Sequence, residues 1–388
     1  MDIRGLVLVN SDSEPAPGLL RRPTQLSLVD VAGRCVLLRM IERLSVSGIQ
    51  PITILAEENS SPWPSPQIPK DVNWLSVPSE SFWRMGESVF NQISQAGAEL
   101  VVIARIGAYA EIEFEQLVQF HLEKHCRVSQ VVHIEQPLEV FAVSASRRND
   151  AASLFRSRLS RCRSNCPPFV QTGYFNRLAD TRDLRQLAID ILTLKTETKP
   201  AGEQLKPGVW IAPRARIEKD ARILAPAFIG PSARIGSGAV VTRCTSVERR
   251  AHVDCGTVVE NSTVLPYSYV GAGLDLSHSV AGMGQIANLR RDATVEITDR
   301  QLIGYVSSRA GQRWLNIAAG RLLSLPGKIR RRLSGVPKPS ALPGMEPGPV
   351  LVPSVRPQDG VYPISGCSQK PAGELPSSLA IARRYGDQ

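Results

Sequence analysis

The sequence predicts an α/β domain with a mostly parallel sheet, followed by a parallel β-helix. Three observations carry that prediction. Apolar strand-like runs alternate with helical patterns through residues 3–195. An aliphatic residue then recurs every six positions from Ile211 to Leu265. Beyond it, a helical pattern returns in a basic stretch (310–333) before a proline-rich tail.

The strand-like runs are "GLVLV" (5–9), "ITILA" (52–56), "NWLSV" (73–77), "LVVIA" (100–104) and "VSQVVHI" (128–134). Between them, "VLLRMIERLSVSG" (36–48) and "ESVFNQISQAG" (87–97) read as helices closed by Gly48 and Gly97. "EFEQLVQFHLEKH" (113–125) carries acids in its first turn and Lys124 and His125 in its last, as a helix dipole favours. Strands alternating with helices at this spacing predict a parallel sheet covered on both faces. "SSPWPSPQIPK" (60–70) reads as a loop.

The hexad aliphatics are Ile211, Ile217, Ile223, Ile229, Ile235, Val241, Val247, Val253, Val259 and Leu265. Four positions after each stands Ala or Thr, with Tyr269 the exception. Such a period is the mark of a parallel β-helix, in which each hexad forms one flat side of a prism. The aliphatic fills the interior, and a small residue follows where the chain bends inward. The phase is expected to slip at "VGAGLDLSHSV" (270–280), with "ATVEI" (293–297) finishing the coil. The expected organisation is an α/β domain over 1–200, a β-helix over 205–298, a basic helical segment over 299–335 and a disordered proline-rich tail over 336–388.

The net charge of +10 is local: nine Lys or Arg and no acid lie between Arg300 and Met345. That distribution describes a basic appendage on a near-neutral body and argues against nucleic acid as the partner. No apolar run is long enough to span a bilayer, and the first residues lack a signal-peptide pattern. Seven scattered cysteines do not read as a disulfide framework, and Cys162 and Cys166 lack the further ligands of a zinc site. The expected location is cytoplasmic, with peripheral membrane attachment an option.

Three stretches resemble the sugar nucleotidyltransferases that carry a left-handed hexapeptide β-helix, such as the mannose-1-phosphate guanylyltransferases. They are "VDVAGRCVLLRMIERLSVSGI" (29–49), "LVVIARIGAYAEIEFEQLVQFHLEKH" (100–125) and "GYFNRLADTRDLRQLAIDIL" (173–192). The resemblance implies a Rossmann-like nucleotidyltransferase domain that joins a nucleoside triphosphate to a sugar 1-phosphate and releases pyrophosphate. It also implies a glycine-rich phosphate loop, a lysine and two magnesium-holding aspartates.

Each implied position is degenerate here. Asn10 and Ser11 stand where glycines would approach phosphates, and Pro15 stands near the expected arginine. Asp12 and Glu14 would repel a triphosphate. Thr24 replaces the lysine, with Arg21 and Arg22 as substitutes. Gly107, beside Arg105, replaces the first metal aspartate. Arg177 replaces the second, although Asp180 follows three residues on. The residual phosphate-binding candidates are therefore Arg21, Arg22 and Arg105, and the residual metal candidate is Asp180.

The expectation is a catalytically degenerate protein with a regulatory or scaffolding role in sugar-nucleotide or cell-surface polysaccharide metabolism. It would need no cofactor and would bind a nucleotide-sugar or sugar phosphate. Homo- or hetero-oligomers would form through the β-helix. Two alternatives stay open. One is an active, divergent sugar-1-phosphate nucleotidyltransferase, which would use Mg²⁺. The other is a β-helix acyltransferase with His252 or His278 as its base. Asp254, Asp275, Glu260 and Glu248 read as polar outer-face residues, and "SRLSRCRSNC" (157–166) as a solvated loop. In 310–333, Trp314, Ile317, Leu322, Leu325, Ile329 and Leu333 stand among basic residues. That pattern suits either a cap on the coil or contact with an anionic membrane or an acidic partner.

Overall fold

A computed structural model describes residues 1–10, 23–58, 68–134, 136–159 and 166–306, all within one compact unit, Met1–Ser324. The expectations for 310–333 and for the tail lie outside the described residues. The architecture is mixed α/β with mostly parallel strands.

The first sheet has seven strands in the order Phe169–Gln171, Val128–His133, Gln136–Ser144, Leu100–Arg105, Ile3–Val9, Ile52–Glu57 and Val72–Val77. All pair in parallel except Gln136–Ser144, which runs against both neighbours. Leu6 to Val9 are wholly buried, as expected of a central strand covered on both faces. Alternation divides them between two layers. Val7 and Val9 pack with residues of the Val36–Val46 and Phe114–Glu123 helices. Leu6 and Leu8 pack with residues of Phe82–Gln95 and Arg148–Arg156.

The predicted helix stops are present. Gly48 and Gly97 adopt φ of 71° and 94°, and Ile49 and Ala98 donate back to Leu44 and Ile93 carbonyls. One cysteine expectation is corrected: Cys126 and Cys166, 40 residues apart, form a disulfide with a Cα–Cα distance of 5.8 Å. The bond ties the segment before Phe169–Gln171 to the start of Val128–His133, two strands that pair in the sheet.

From Val209 the chain visits three sheets in turn. The first holds Val209–Ile211, Ala227–Ile229, Thr245–Val247, Thr263–Val264 and Ser279–Gly282. The second holds Arg216–Ile217, Arg234–Ile235, His252–Val253 and Ser268–Val270, and the third holds Arg222–Ile223, Val240–Thr242, Val258–Glu260 and Asp275–Ser277. These strands are in parallel register, and their aliphatic residues share one core. Antiparallel strands close the far end: Gln285–Asn288 and Ala293–Glu296 on the first sheet, and Ile303–Tyr305 on the second.

The hexad phase differs from expectation. Val247 pairs with Val264 and Val264 with Ala281, so each of these turns is one residue short. The shortening falls at corners occupied by Asn261 and His278, with φ of 44° and 49°. Val264 and Ala281 therefore fill the interior. Leu265 and Val280 are left to pack outward with the Thr181–Leu192 helix.

Candidate functional site

In an open α/β sheet the ligand crevice lies beyond the carboxyl ends of the strands, where strand order reverses. Here the reversal falls between Ile3–Val9 and Leu100–Arg105. Asn10 closes the first strand and Arg105 ends the second, so these two residues meet in the crevice.

Asn10 is buried, and its Oδ1 accepts a 2.7 Å hydrogen bond from Arg105 Nε. Arg105 Nη1 donates to Glu139 Oε1 at 2.8 Å, and the guanidinium lies 5.6 Å from the Trp83 ring centroid. The cleft beside this chain has a volume of about 380 Å³ and is lined by Met40, Arg105, Ala110, Gln130, Gln136 and Glu139. Its chemistry is that of one arginine already paired with a carboxylate, two primary amides and aliphatic walls. Such a cleft suits a polar ligand of low charge better than a triphosphate, whose charge needs several donors and cations.

The remaining sequence-predicted positions are placed as follows. Gly107 lies in the loop after Arg105, where its carbonyl accepts from Ser27 Oγ at 3.2 Å. Thr24 lies in the short Pro23–Leu28 helix. Arg177 is exposed. Asp180 is the N-cap of Thr181–Leu192: its Oδ1 accepts from Arg182 N at 2.8 Å and Asp183 N at 2.9 Å. Ser11, Asp12, Glu14, Pro15, Arg21 and Arg22 lie outside the described residues. The donor set does not fit magnesium: Gly107 has no side chain, Arg177 is a cation, and Asp180 holds backbone amides.

His278 is held in a chain of side chains. Arg185 Nη2 donates to Asn261 Oδ1 at 2.8 Å, so the Asn261 amide nitrogen faces His278 Nδ1 at 2.7 Å. Arginine only donates, which fixes the amide orientation and makes His278 Nδ1 an acceptor. The neutral ring then carries its proton on Nε2, the wrong tautomer for a base acting through that atom. His252 is half-buried and packs edge-on to Tyr269 at 5.3 Å.

Two acids expected on the outer face of the coil are buried instead. Asp254 accepts from the Tyr269 hydroxyl and from Cys255 N. Glu248 is wholly buried where the coil meets the turn between Asp30–Val31 and Arg34–Cys35. Its two oxygens accept from Ala32 N at 2.8 Å and Gly33 N at 2.9 Å, and Ser246 Oγ completes the contact. Burial, reinforced by the nearby Asp30 charge, pushes the Glu248 carboxyl up to about 8. Asp30 pairs with Arg249 at 2.8 Å, yet burial still raises it to about 6.

Sequence reasoning missed this joint and two others. Arg185, buried on its helix, donates to Thr263 Oγ1, the Cys244 carbonyl and Asn261 at the shortened corner of the coil. Glu111 receives Tyr109 Oη and the Glu197 and Thr198 amides, which clasp the linker. Burial opposes its ionisation, but these donors hold the carboxyl below its ordinary value.

No protein-family model matches the chain, and no curated protein matches it. Among the described residues, no helix is long and apolar enough to cross a membrane.

Proposed function

We propose that this chain is a nucleotidyltransferase-like protein with a left-handed β-helix that has lost its transferase chemistry. Its role is regulatory or scaffolding, in sugar-nucleotide or cell-surface polysaccharide metabolism. The observation that supports this reading is the Asn10–Arg105–Glu139 chain across the switch point of the sheet. A triphosphate site needs open backbone and uncommitted cations at that place. Here a side-chain amide and a carboxylate engage Nε and Nη1 of the arginine and neutralise its charge locally.

The coil supports the second half of the reading. Its three parallel sheets, stepped at hexad spacing, suit a rigid prism that presents the α/β part to a partner. Binding of a nucleotide-sugar or sugar phosphate without turnover fits the cleft lined by Gln130, Gln136 and Arg105. The test is to incubate purified protein with each nucleoside triphosphate, a panel of sugar 1-phosphates and Mg²⁺, and to measure pyrophosphate. No release above a protein-free control is expected. Substrate-dependent release would overturn the reading.

A further inference from the structure

The second sheet of the coil stacks two arginines on its outer face, and the flanking corner adds two more. Arg216 pairs with Arg234, Arg234 with His252, His252 with Tyr269, and Tyr269 with Gly304. Outward-facing residues on successive rungs stand about 4.8 Å apart. The neighbouring corner stacks Arg214, Ser232, Arg250 and Tyr267, all at positive φ, with the Arg250 guanidinium 5.7 Å from the Tyr267 ring centroid. At the top, Arg300 lies against Gly304, whose added Cβ would meet Arg300 Cβ at 3.3 Å.

Arg214, Arg216, Arg234, Arg250 and Arg300 are all exposed, and none forms an ion pair among the described residues. Asp254 is committed to Tyr269 and Cys255 N, and Asp299 accepts from Gln301 N. Glu218 is an exposed acid at the open end of this face, and Asp220, at the following corner, accepts from Ser237 Oγ. Like charges directly opposite each other in a sheet are destabilising. The Arg216–Arg234 pair is therefore kept at a cost that an anionic partner would offset.

We infer that this face docks on an anionic lipid surface. Three observations favour a bilayer over other polyanions. The strands from Arg216–Ile217 to His252–Val253 repeat in strict 18-residue register, which makes a flat array and not a groove. Single-stranded nucleic acid is held in grooves that offer free aromatic platforms, whereas Tyr269 is 6 % exposed and Arg250 lies over Tyr267. Finally, the chain leaves the described structure at this same corner, where Val306 N donates to the Tyr267 carbonyl at 2.9 Å. The sequence that follows carries Lys and Arg with no acid through Met345, together with Trp314, Ile317, Leu322 and Leu325. Basic residues interleaved with apolar ones suit the interface of an anionic membrane. This inference stands apart from the reading of the cleft and survives its failure.

The test uses the full chain in co-sedimentation with vesicles of 30 mol % phosphatidylserine in phosphatidylcholine, and with phosphatidylcholine alone, at about 0.1 M salt. Wild type is expected to pellet with the first and not with the second, and to be released by 0.5 M salt. Each arginine removed weakens binding roughly fivefold. The variant Arg214→Gln, Arg216→Gln, Arg234→Gln, Arg250→Gln is therefore expected to lose roughly several hundredfold with the C-terminal sequence intact. A charge-matched control, Arg84→Gln, Arg127→Gln, Arg156→Gln, Arg222→Gln, is expected to bind as wild type does. Failure of wild type to bind, an unchanged face variant, or an equal loss in the control would each overturn the inference. So would preferential capture by a 20-nucleotide single strand in competition with the vesicles.

Discussion

Arg105 Nε donates a 2.7 Å hydrogen bond to Asn10 Oδ1, joining the carboxyl ends of two adjacent parallel strands. The contact places a cation in the crevice and ties its Nε, with Nη1 held by Glu139, to the protein itself. Arg105→Ala removes the bonds to Asn10 and Glu139 together. Bonds to charged groups of this kind are worth about 1.5–3 kcal/mol, so a loss in that range is expected in urea unfolding. Arg105→Lys should recover little, because an ammonium lacks the planar fork that reaches both partners. An unchanged unfolding midpoint for Arg105→Ala would show that the contact is incidental.

Glu248 gives the joint between the coil and the α/β part a pH dependence. Its folded value of about 8 lies above the ordinary carboxyl value of 4.5. Between these values the folded state holds a proton that the unfolded state has released. Stability therefore falls as pH rises from about 4.5 to about 8. Asp30, at about 6 against 3.8, acts in the same direction over the lower part of that window. Urea midpoints measured from pH 5 to pH 9 should decline through the window, and Glu248→Gln should flatten the decline. A profile that is flat or rising in wild type would contradict the assignment.

Gly33 sits at φ +90° in the same joint, and a Cβ there would meet Phe228 Cζ and Ala201 Cβ at 2.7 Å each. Both the backbone region and the overlap oppose a side chain, at a combined cost of about 2–4 kcal/mol for Gly33→Ala. Phe228→Leu should be coupled to it, recovering part of the loss in a double-mutant cycle. Strict additivity of the two changes would mean that the contact does not limit packing.

Asp180 distinguishes a helix cap from a metal ligand. Asp180→Ala should destabilise by about 0.5–2 kcal/mol, the usual range for losing an N-cap. Wild-type thermal stability should not respond to millimolar Mg²⁺. A Tm that rises with Mg²⁺ in wild type and not in Asp180→Ala would identify the residue as a ligand.

The parts of the fold legible in the sequence are those set by local periodicity. The five strand-like runs and the stops at Gly48 and Gly97 follow from apolar pattern and backbone freedom within a few residues. The hexads from Ile211 to Val259 are legible for the same reason. The phase beyond Asn261 was not, because Val264 and Leu265 are both aliphatic and either satisfies the six-residue rule. What decides between them is the helix against which Leu265 packs, remote in sequence.

Long-range contacts were equally hidden. Glu248 stands at an outward hexad position and reads as solvated until the turn at Ala32 and Gly33 covers it. The Cys126–Cys166 bond spans 40 residues, and Cys166 has the nearer Cys162 as a decoy. In the candidate site, Asn10 and Arg105 were each legible as departures from a phosphate-binding pattern. Their bond to one another was not, because only the sheet order brings them together.

The most direct test of the central claim is pyrophosphate release by purified protein given nucleoside triphosphates, sugar 1-phosphates and Mg²⁺. Release indistinguishable from a protein-free control is the expected result, for wild type and for Arg105→Ala alike. Release by wild type that depends on a particular sugar 1-phosphate and is abolished in Arg105→Ala would contradict the account.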